Sequence, residues 1–109
     1  MSPLVSIVIP TYNRSSELKR ALASIVAQSY INWEVVIVDN TSADDTDEMV
    51  ESFHDPRIHL HKINNNGVIA ASRNLGIQVS KGKWIAFLDS DDWWYSDKLE
   101  VAMSYCKSG

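Results

Sequence analysis

Three carboxylates lie within four residues at the end of an apolar run, where residues 83–88 are followed by Asp89, Ser90, Asp91 and Asp92. Such a run is typical of a strand buried on both faces, with the acids at its carboxyl end. Asp89 and Asp91 can face one ligand if the chain turns there. Mg²⁺ and Mn²⁺ bind one or two protein carboxylates and complete their shells with water and phosphate oxygens. The spacing suggests a site for a divalent cation and a diphosphate; solvated turn residues that cap the next helix are the alternative.

A second set of polar residues follows two earlier apolar runs. Thr11 and Tyr12 come after the first run, and Asp39 comes directly after the second. A carboxylate accepts a hydrogen bond from the imide N–H of a nucleobase, and an aromatic ring can stack on the base. The alternative is that Asp39 caps a turn and Tyr12 is half-buried. Arg73 has no acid four residues later and is therefore free to reach a phosphate, or to remain solvated on its helix.

Four β-rich runs alternate with segments of helical periodicity. The third run alternates apolar with polar residues, which predicts a strand near a sheet edge. Pro10 marks the end of the first strand, and Ser15 or Ser16 and then Thr41 or Ser42 are expected to cap the first two helices. The predicted strands cover residues 4–9, 33–38, 57–62 and 83–88.

This order predicts an α/β fold, a Rossmann-like, mostly parallel sheet with helices on both faces. The polar residues after the first, second and fourth strands then meet at one sheet edge, which is where open parallel sheets bind ligands. With 109 residues the chain is one domain.

The composition limits the classes of partner. A net charge of −4 without a basic run argues against nucleic acid. Cys106 is the only cysteine, so an intrachain disulfide is excluded, and packing is its expected role. No segment approaches about 18 consecutive apolar residues, so we expect no membrane span and a cytoplasmic location.

Taken in order, these motifs resemble the inverting family-2 glycosyltransferases of the GT-A fold. No single motif is decisive, but the ordered set is specific and runs from Val5 to about Glu100. The segments are VSIVIPTYNR (5–14), VIVDNTS (36–42) with Asp45 and Thr46, NNG (65–67) with ASRNLG (71–76), and DSDD (89–92) with Trp94 and KLE (98–100).

The resemblance implies a role for each matching residue. Thr11, Tyr12 and Asp39 would hold the base and ribose of a nucleotide sugar, usually a UDP-sugar. Asp91 would carry Mn²⁺ or Mg²⁺ in a DXD motif, with Asp89 beside it near the ribose or sugar. The full set implied to bind the nucleotide is Pro10, Thr11, Tyr12, Asn13, Asp39, Arg73, Asp89 and Ser90.

Members of the resembled family continue into an acceptor-binding half that supplies the catalytic base, and nothing in residues 1–109 matches it. The expectation is therefore the N-terminal, nucleotide-sugar-binding half alone, inactive by itself, with no catalytic residue assigned. The missing half would bind a sugar or lipid-linked acceptor, which would place the enzyme at the inner face of the membrane. An exposed sheet edge left by that absence makes a homodimer possible.

Two alternatives compete with a transferase. A receiver-type signalling domain is also α/β and of similar length, but it needs a phosphoacceptor aspartate on a middle strand and a lysine at a later strand end. A non-catalytic module that binds nucleotide sugars has the same sequence features as the donor half of an enzyme.

Overall fold

The computed structural model describes residues 3–107, with side chains to residue 105, so the expected packing of the Cys106 side chain lies outside the described residues. Strands and helices alternate along the chain as predicted. The strands are β1 (Val5–Thr11), β2 (Trp33–Asp39), β3 (Ile58–Lys62) and β4 (Trp84–Phe87), and the helices are α1 (Ser15–Val26), α2 (Thr46–Glu51), α3 (Ile69–Val79) and α4 (Lys98–Lys107).

The four strands form one parallel sheet in the order β3-β2-β1-β4. In its register Thr11 lies opposite Asp39, and Asp39 lies opposite Lys62. These three residues therefore form one row across the carboxyl edge of the sheet. Strand β3 lies at the sheet edge, as its alternating pattern predicted.

Alternate residues of the central strands point to opposite faces of the sheet. On one face, β1 and β2 pack with α1, α2 and α4 in the larger core, which includes Leu22, Met49 and Leu99. On the other face, Val8 and Val36 pack against α3. Helices thus cover both faces, and the predicted α/β architecture is confirmed.

Strand β1 does not end before Pro10 as predicted but continues through it to Thr11. Pro10 lies opposite Val38, and the Thr11 carbonyl then accepts a hydrogen bond from the Asn40 N–H at 2.9 Å. Proline lacks only a donor, so a strand can pass through it where the ladder does not require that N–H. The extension brings Thr11 level with Asp39.

Strand β4 is not buried on both faces, which corrects the interpretation of its apolar run. Trp84, Ile85 and Phe87 are 38%, 40% and 47% exposed. The physical reason is position: among the described strands β4 pairs with β1 alone and forms one edge of the sheet. Its outer edge therefore offers unpaired backbone groups next to apolar side chains.

The predicted serine and threonine caps are wrong, because neither α1 nor α2 has a hydrogen bond to the side chain of its N-cap residue. Instead, one aspartate accepts hydrogen bonds at the starts of both helices. Ser15 is the first residue of α1, and its N–H donates to Asp44 Oδ2 at 3.0 Å. Asp44 Oδ1 accepts from the Thr46 N–H at 3.2 Å and from the Thr46 hydroxyl. The hydrogen bond from the Thr46 hydroxyl, followed by those from backbone N–H groups, holds the pKa of Asp44 below its usual value. Asp44 thereby ties the starts of α1 and α2 together.

Helix α3 lies so close to the sheet that Gly76 has no room for a side chain. A Cβ placed on Gly76 would lie 2.3 Å from Val8 Cγ1. We expect Gly76→Ala to lower the free energy of unfolding by about 1–3 kcal/mol, because overpacking exceeds the gain of up to about 1 kcal/mol from alanine's helix propensity. Urea denaturation measures the change. Gln78→Ala, at an exposed position of the same helix, should stay within about 0.5 kcal/mol of the parent; equal stabilities of all three proteins would contradict the close packing.

In the described part of the chain, no helix has the length and apolar character that crossing a membrane requires.

Candidate functional site

A cavity of about 510 Å³ opens at the carboxyl edge of the sheet, between the ends of β1 and β4 and the start of α3. The polar segments after β1 and β4, which are distant in sequence, meet there as predicted. Of the residues proposed from sequence, those that line the cavity are Pro10, Thr11, Tyr12, Arg73, Asp89, Ser90 and Asp91.

Asn13 and Asp39 are not among the described residues that line the cavity. Asn13 has a positive φ of 50° and connects two loops. Its N–H donates to Ser42 Oγ at 2.8 Å, and its Oδ1 accepts from the Ala43 N–H at 2.7 Å. Asn13 therefore fixes the β1–α1 loop against the β2–α2 loop, next to the cavity.

The structure adds lining residues that the sequence analysis did not select: Arg14, Asn40, Asn65, Gly67, Ile69 and Ser72. Asn65 contacts two of these residues and so organises this wall of the cavity. Its side-chain amide donates to Ser72 Oγ at 2.9 Å, and its backbone N–H donates to Asn40 Oδ1 at 3.0 Å. Gly67 has a φ of +82°, which favours glycine and turns the chain into α3. The residues Asn64–Gly67 tolerate a positive φ and so favour a turn, but nothing in this run indicates contact with a cavity.

Asp39 is fully buried, and its two oxygens have different surroundings. Oδ1 accepts hydrogen bonds from the Ser42 N–H at 3.1 Å and from the Ser42 hydroxyl. Oδ2 has no hydrogen-bond partner, and neither does the buried Thr11 Oγ1 beside it in the strand register. Buried polar atoms rarely lack a hydrogen bond, so these two atoms indicate a place where a ligand could complete the hydrogen bonding.

Lys62 places a positive charge next to Asp39, with its Nζ 3.5 Å from Asp39 Oδ2. Its ammonium also donates to Asp47 Oδ1 at 2.7 Å. The hydrogen bond to Asp47, together with the negative charges of Asp47 and Asp39, holds the pKa of Lys62 above its usual value. Lys62 therefore remains charged at neutral pH and balances the buried carboxylate.

Each carboxylate of the Asp89–Asp91 pair lies near an arginine from another part of the chain. Arg14 Nη1 lies 3.4 Å from Asp91 Oδ2, and Arg73 Nη2 lies 4.0 Å from Asp89 Oδ1. The Asp89 and Asp91 side chains are 71% and 56% exposed, so both can meet a ligand. Two carboxylates and two guanidinium groups thus share one cavity.

The alternative of a turn that caps a helix describes neither Asp89 nor Asp91. Asp92 does have a local structural role, because its N–H donates to the Asp89 carbonyl at 3.0 Å and its Oδ1 accepts from the Trp93 N–H at 2.8 Å. It stabilises the turn after β4 and not the start of α4, which begins at Lys98. The side chains of Asp89 and Asp91 are left facing the cavity.

The donor set fits a divalent cation only if a ligand completes the coordination. Among residues 3–105, no group of three or more His, Cys, Asp or Glu side chains is placed to hold a metal ion. Asp89 and Asp91 are, however, two exposed carboxylates on one cavity. Mg²⁺ and Mn²⁺ are often bound by one or two carboxylates together with water and substrate phosphates, so the chemistry of these residues fits such an ion shared with a diphosphate.

Comparisons with known proteins agree on one family. The family model described as "Glycosyl transferase family 2" matches residues 6–109. The Escherichia coli protein WfgD, named UDP-Glc:alpha-D-GlcNAc-diphosphoundecaprenol beta-1,3-glucosyltransferase, is 40% identical over 101 residues, covering 93% of this chain. The crystal structure of S. aureus TarS 1-349 in complex with UDP-GlcNAc matches with a TM-score of 0.89 and 28% identity over 95% of the chain.

A second solved structure is similar as well. The mannosyltransferase PcManGT from Pyrobaculum calidifontis, in complex with GDP-Man and Mn²⁺, matches with a TM-score of 0.77 and 27% identity over 86% of the chain. The chain spans 42% and 40% of the length of two curated relatives, and 31% and 29% of the TarS and PcManGT chains. The similarity therefore concerns one part of longer proteins.

Proposed function

This chain belongs to glycosyl transferase family 2, and from that premise we propose that it is the donor-binding part of a transferase that uses a nucleotide-diphosphate sugar, specifically a UDP-sugar. The family and the α/β fold expected from the sequence are confirmed. The receiver-type alternative is wrong, because the family model covers residues 6–109.

The cavity at the carboxyl edge is the observation that carries the proposal. It brings Tyr12, Arg73 and the Asp89–Asp91 pair to one volume of about 510 Å³, within the range of small-molecule sites. The guanidinium of Arg73 suits a phosphate oxygen, and Tyr12, which is 55% exposed, offers a ring on which a base can stack. A diphosphate lying across the cavity would link these groups.

We assign recognition of the base to the row formed by Thr11 and Asp39. Uracil has an imide N–H, and Asp39 Oδ2 is an acceptor without a hydrogen-bond partner. The Thr11 hydroxyl, also unpaired, can donate to a uracil carbonyl or to a ribose oxygen. Pro10, Asn13 and Ser90 complete the proposed nucleotide site, with Asn13 acting through the loops that it joins.

Asp91, assisted by Asp89, is the proposed ligand of Mn²⁺ or Mg²⁺. When bound, such an ion supplies Lewis-acid stabilisation of the negative charge on the leaving diphosphate. The residues of the chain hold the donor: the arginines contact phosphate, and the wall around Asn65 limits the position of the ribose. The Mn²⁺ complex of PcManGT supports the assignment of a metal.

This chain spans 40% of the length of WfgD, and we propose that acceptor binding and activation belong to the part that it does not span. We propose a sugar or lipid-linked acceptor, in line with the diphosphoundecaprenol-linked substrate named for WfgD, and a location at the inner face of the membrane. The catalytic base is expected in that other part, so residues 1–109 should bind the donor without transferring sugar. In this respect they would behave as a binding module.

A homodimer stays a separate prediction, which rests on the exposed edge of β4. Light scattering on residues 1–109 tests it, and a monodisperse monomer would contradict it.

Calorimetry with UDP tests the proposed donor site. UDP is titrated into the chain with excess Mn²⁺ and again with a chelator. We expect the metal to raise the UDP affinity by about tenfold or more, a typical size for coupling between two ligands at one site. ADP, titrated in the same way, controls for binding through the diphosphate alone. Equal affinities with and without metal would overturn the metal assignment, and the absence of UDP binding under both conditions would overturn the donor site.

A further inference from the structure

Two arginines contact Asp91: Arg14, the residue before α1, and Arg20, in the second turn of that helix. Arg14 Nη1 lies 3.4 Å from the Asp91 carboxylate, and Arg20 Nη2 donates to the Asp91 backbone carbonyl at 3.1 Å. The two contacts act on different parts of the residue. Arg20 fixes the backbone at Asp91, whereas Arg14 neutralises the side chain.

The contact with Arg14 uses the same carboxylate that the proposed function assigns to a divalent cation. A guanidinium and a cation cannot both sit against one exposed carboxylate without repelling each other. Binding of the metal alone therefore weakens the pair between Arg14 and Asp91, because it leaves the Arg14 charge beside a second positive charge. Arg14 lines the same cavity, so a bound diphosphate would offer it a new partner.

We propose that Arg14 is a positioning residue that pairs with Asp91 in the empty site and transfers its contact to the diphosphate when donor and metal bind. The inference rests on the proposed function. Arg20 holds the backbone carbonyl of Asp91, so the position of the Asp91 backbone does not depend on the contact with Arg14. Arg14 thereby weakens the binding of metal alone, strengthens the binding of donor with metal, and makes the two ligands bind cooperatively.

Arg14 can move without disturbing the helix that follows it. Its backbone carbonyl accepts from the Leu18 N–H at 2.8 Å, which starts the hydrogen bonding of α1, and this contact does not involve the side chain. The side chain is 53% exposed. An exposed pair of this kind is weak, about 0.2–1 kcal/mol, so a ligand of ordinary affinity can displace it.

The variant Arg14→Ala tests the inference through three titrations: Mn²⁺ alone, UDP with a chelator, and UDP with excess Mn²⁺. We expect Mn²⁺ alone to bind about two- to fivefold tighter, because the competing charge is gone. UDP with Mn²⁺ should bind about tenfold weaker, because one charged contact with phosphate is lost. The factor by which Mn²⁺ strengthens UDP binding should fall, and a purely structural role of Arg14 would not change that factor.

Lys19→Ala is the matched control, since Lys19 is an exposed residue of α1 that loses the same charge and is not among the described residues that line the cavity. It should bind both ligands as the parent does. Arg14→Gln, which keeps a long polar side chain, replaces Arg14→Ala if that variant does not fold. It should change the affinity for Mn²⁺ alone and the affinity for UDP with Mn²⁺ in the same directions.

Two results would overturn the inference in distinguishable ways. If the parent shows metal-dependent UDP binding and both Arg14 variants keep its coupling between metal and UDP, the role of Arg14 is wrong and the donor site stands. If the parent does not bind UDP, or binds it without regard to metal, the proposed function fails and the inference fails with it.

Discussion

Replacing Asp91 by asparagine is expected to abolish the strengthening of UDP binding by Mn²⁺. Among the described residues that line the cavity, Asp89 and Asp91 are the two carboxylates, so each contributes a large share of the charge that holds the ion. Loss of even an outer-shell partner typically costs about 10–100-fold in metal affinity, so loss of a ligand should cost about 100-fold or more. Calorimetric titration of Asp91→Asn with UDP should give nearly the same affinity with Mn²⁺ and with chelator.

Asp92→Asn provides a matched control one residue away. It removes the same charge from the same turn, and an asparagine Oδ1 can still accept from the Trp93 N–H. The metal dependence of this variant should resemble that of the parent. Equal losses in Asp91→Asn and Asp92→Asn would mean that the acidic turn attracts cations only through its total charge, and the assignment of Asp91 as a ligand would then be wrong.

The elements of the fold were predictable because their signals are local. Strands β1, β2 and β4 are runs rich in β-branched or aromatic residues, and β3 alternates apolar with polar residues. Each helix has an apolar face at helical spacing, and the alternation of strands with helices favours a parallel sheet. The position of β3 at a sheet edge also followed from the alternation of apolar and polar residues along this strand. Since parallel strands deliver their carboxyl ends to one edge, the meeting of Thr11, Tyr12 and the Asp89–Asp91 pair followed as well.

The errors concern features that depend on contacts between distant segments. Asp44 caps α1 from 29 residues away, and no pattern near Ser15 indicates that partner. The apolar run at β4 predicted burial, but burial depends on which strand lies outside it, and among the described strands none does. The pairing of Arg14 with Asp91 across 77 residues is of the same kind. Sequence located seven of the residues that line the cavity, whereas the other lining residues and the contacts among them required the fold.

Asp39→Asn is expected to weaken UDP binding by about ten- to hundredfold, both with and without Mn²⁺. The substitution keeps Oδ1 as the acceptor for Ser42, but it changes Oδ2 from an acceptor into an amide donor. A donor facing the imide N–H of uracil loses a charged hydrogen bond, worth about 1.5–3 kcal/mol. The affinity should fall equally under both metal conditions because the residues proposed to bind the base, Thr11 and Asp39, are not the residues proposed to bind the metal.

The same substitution should also change the preference between bases, which distinguishes a loss of base recognition from a general loss of structure. Cytosine presents an acceptor where uracil has its imide N–H, so the new amide should favour CDP over UDP relative to the parent. Asp47→Asn is the control, because it removes the other acidic partner of Lys62 and leaves Asp39 in place; it should preserve the parental preference. Thermal denaturation checks that each variant folds. If Asp39→Asn weakened UDP and CDP by the same factor, Asp39 would act only through the structure of its turn, and other residues would have to recognise the base.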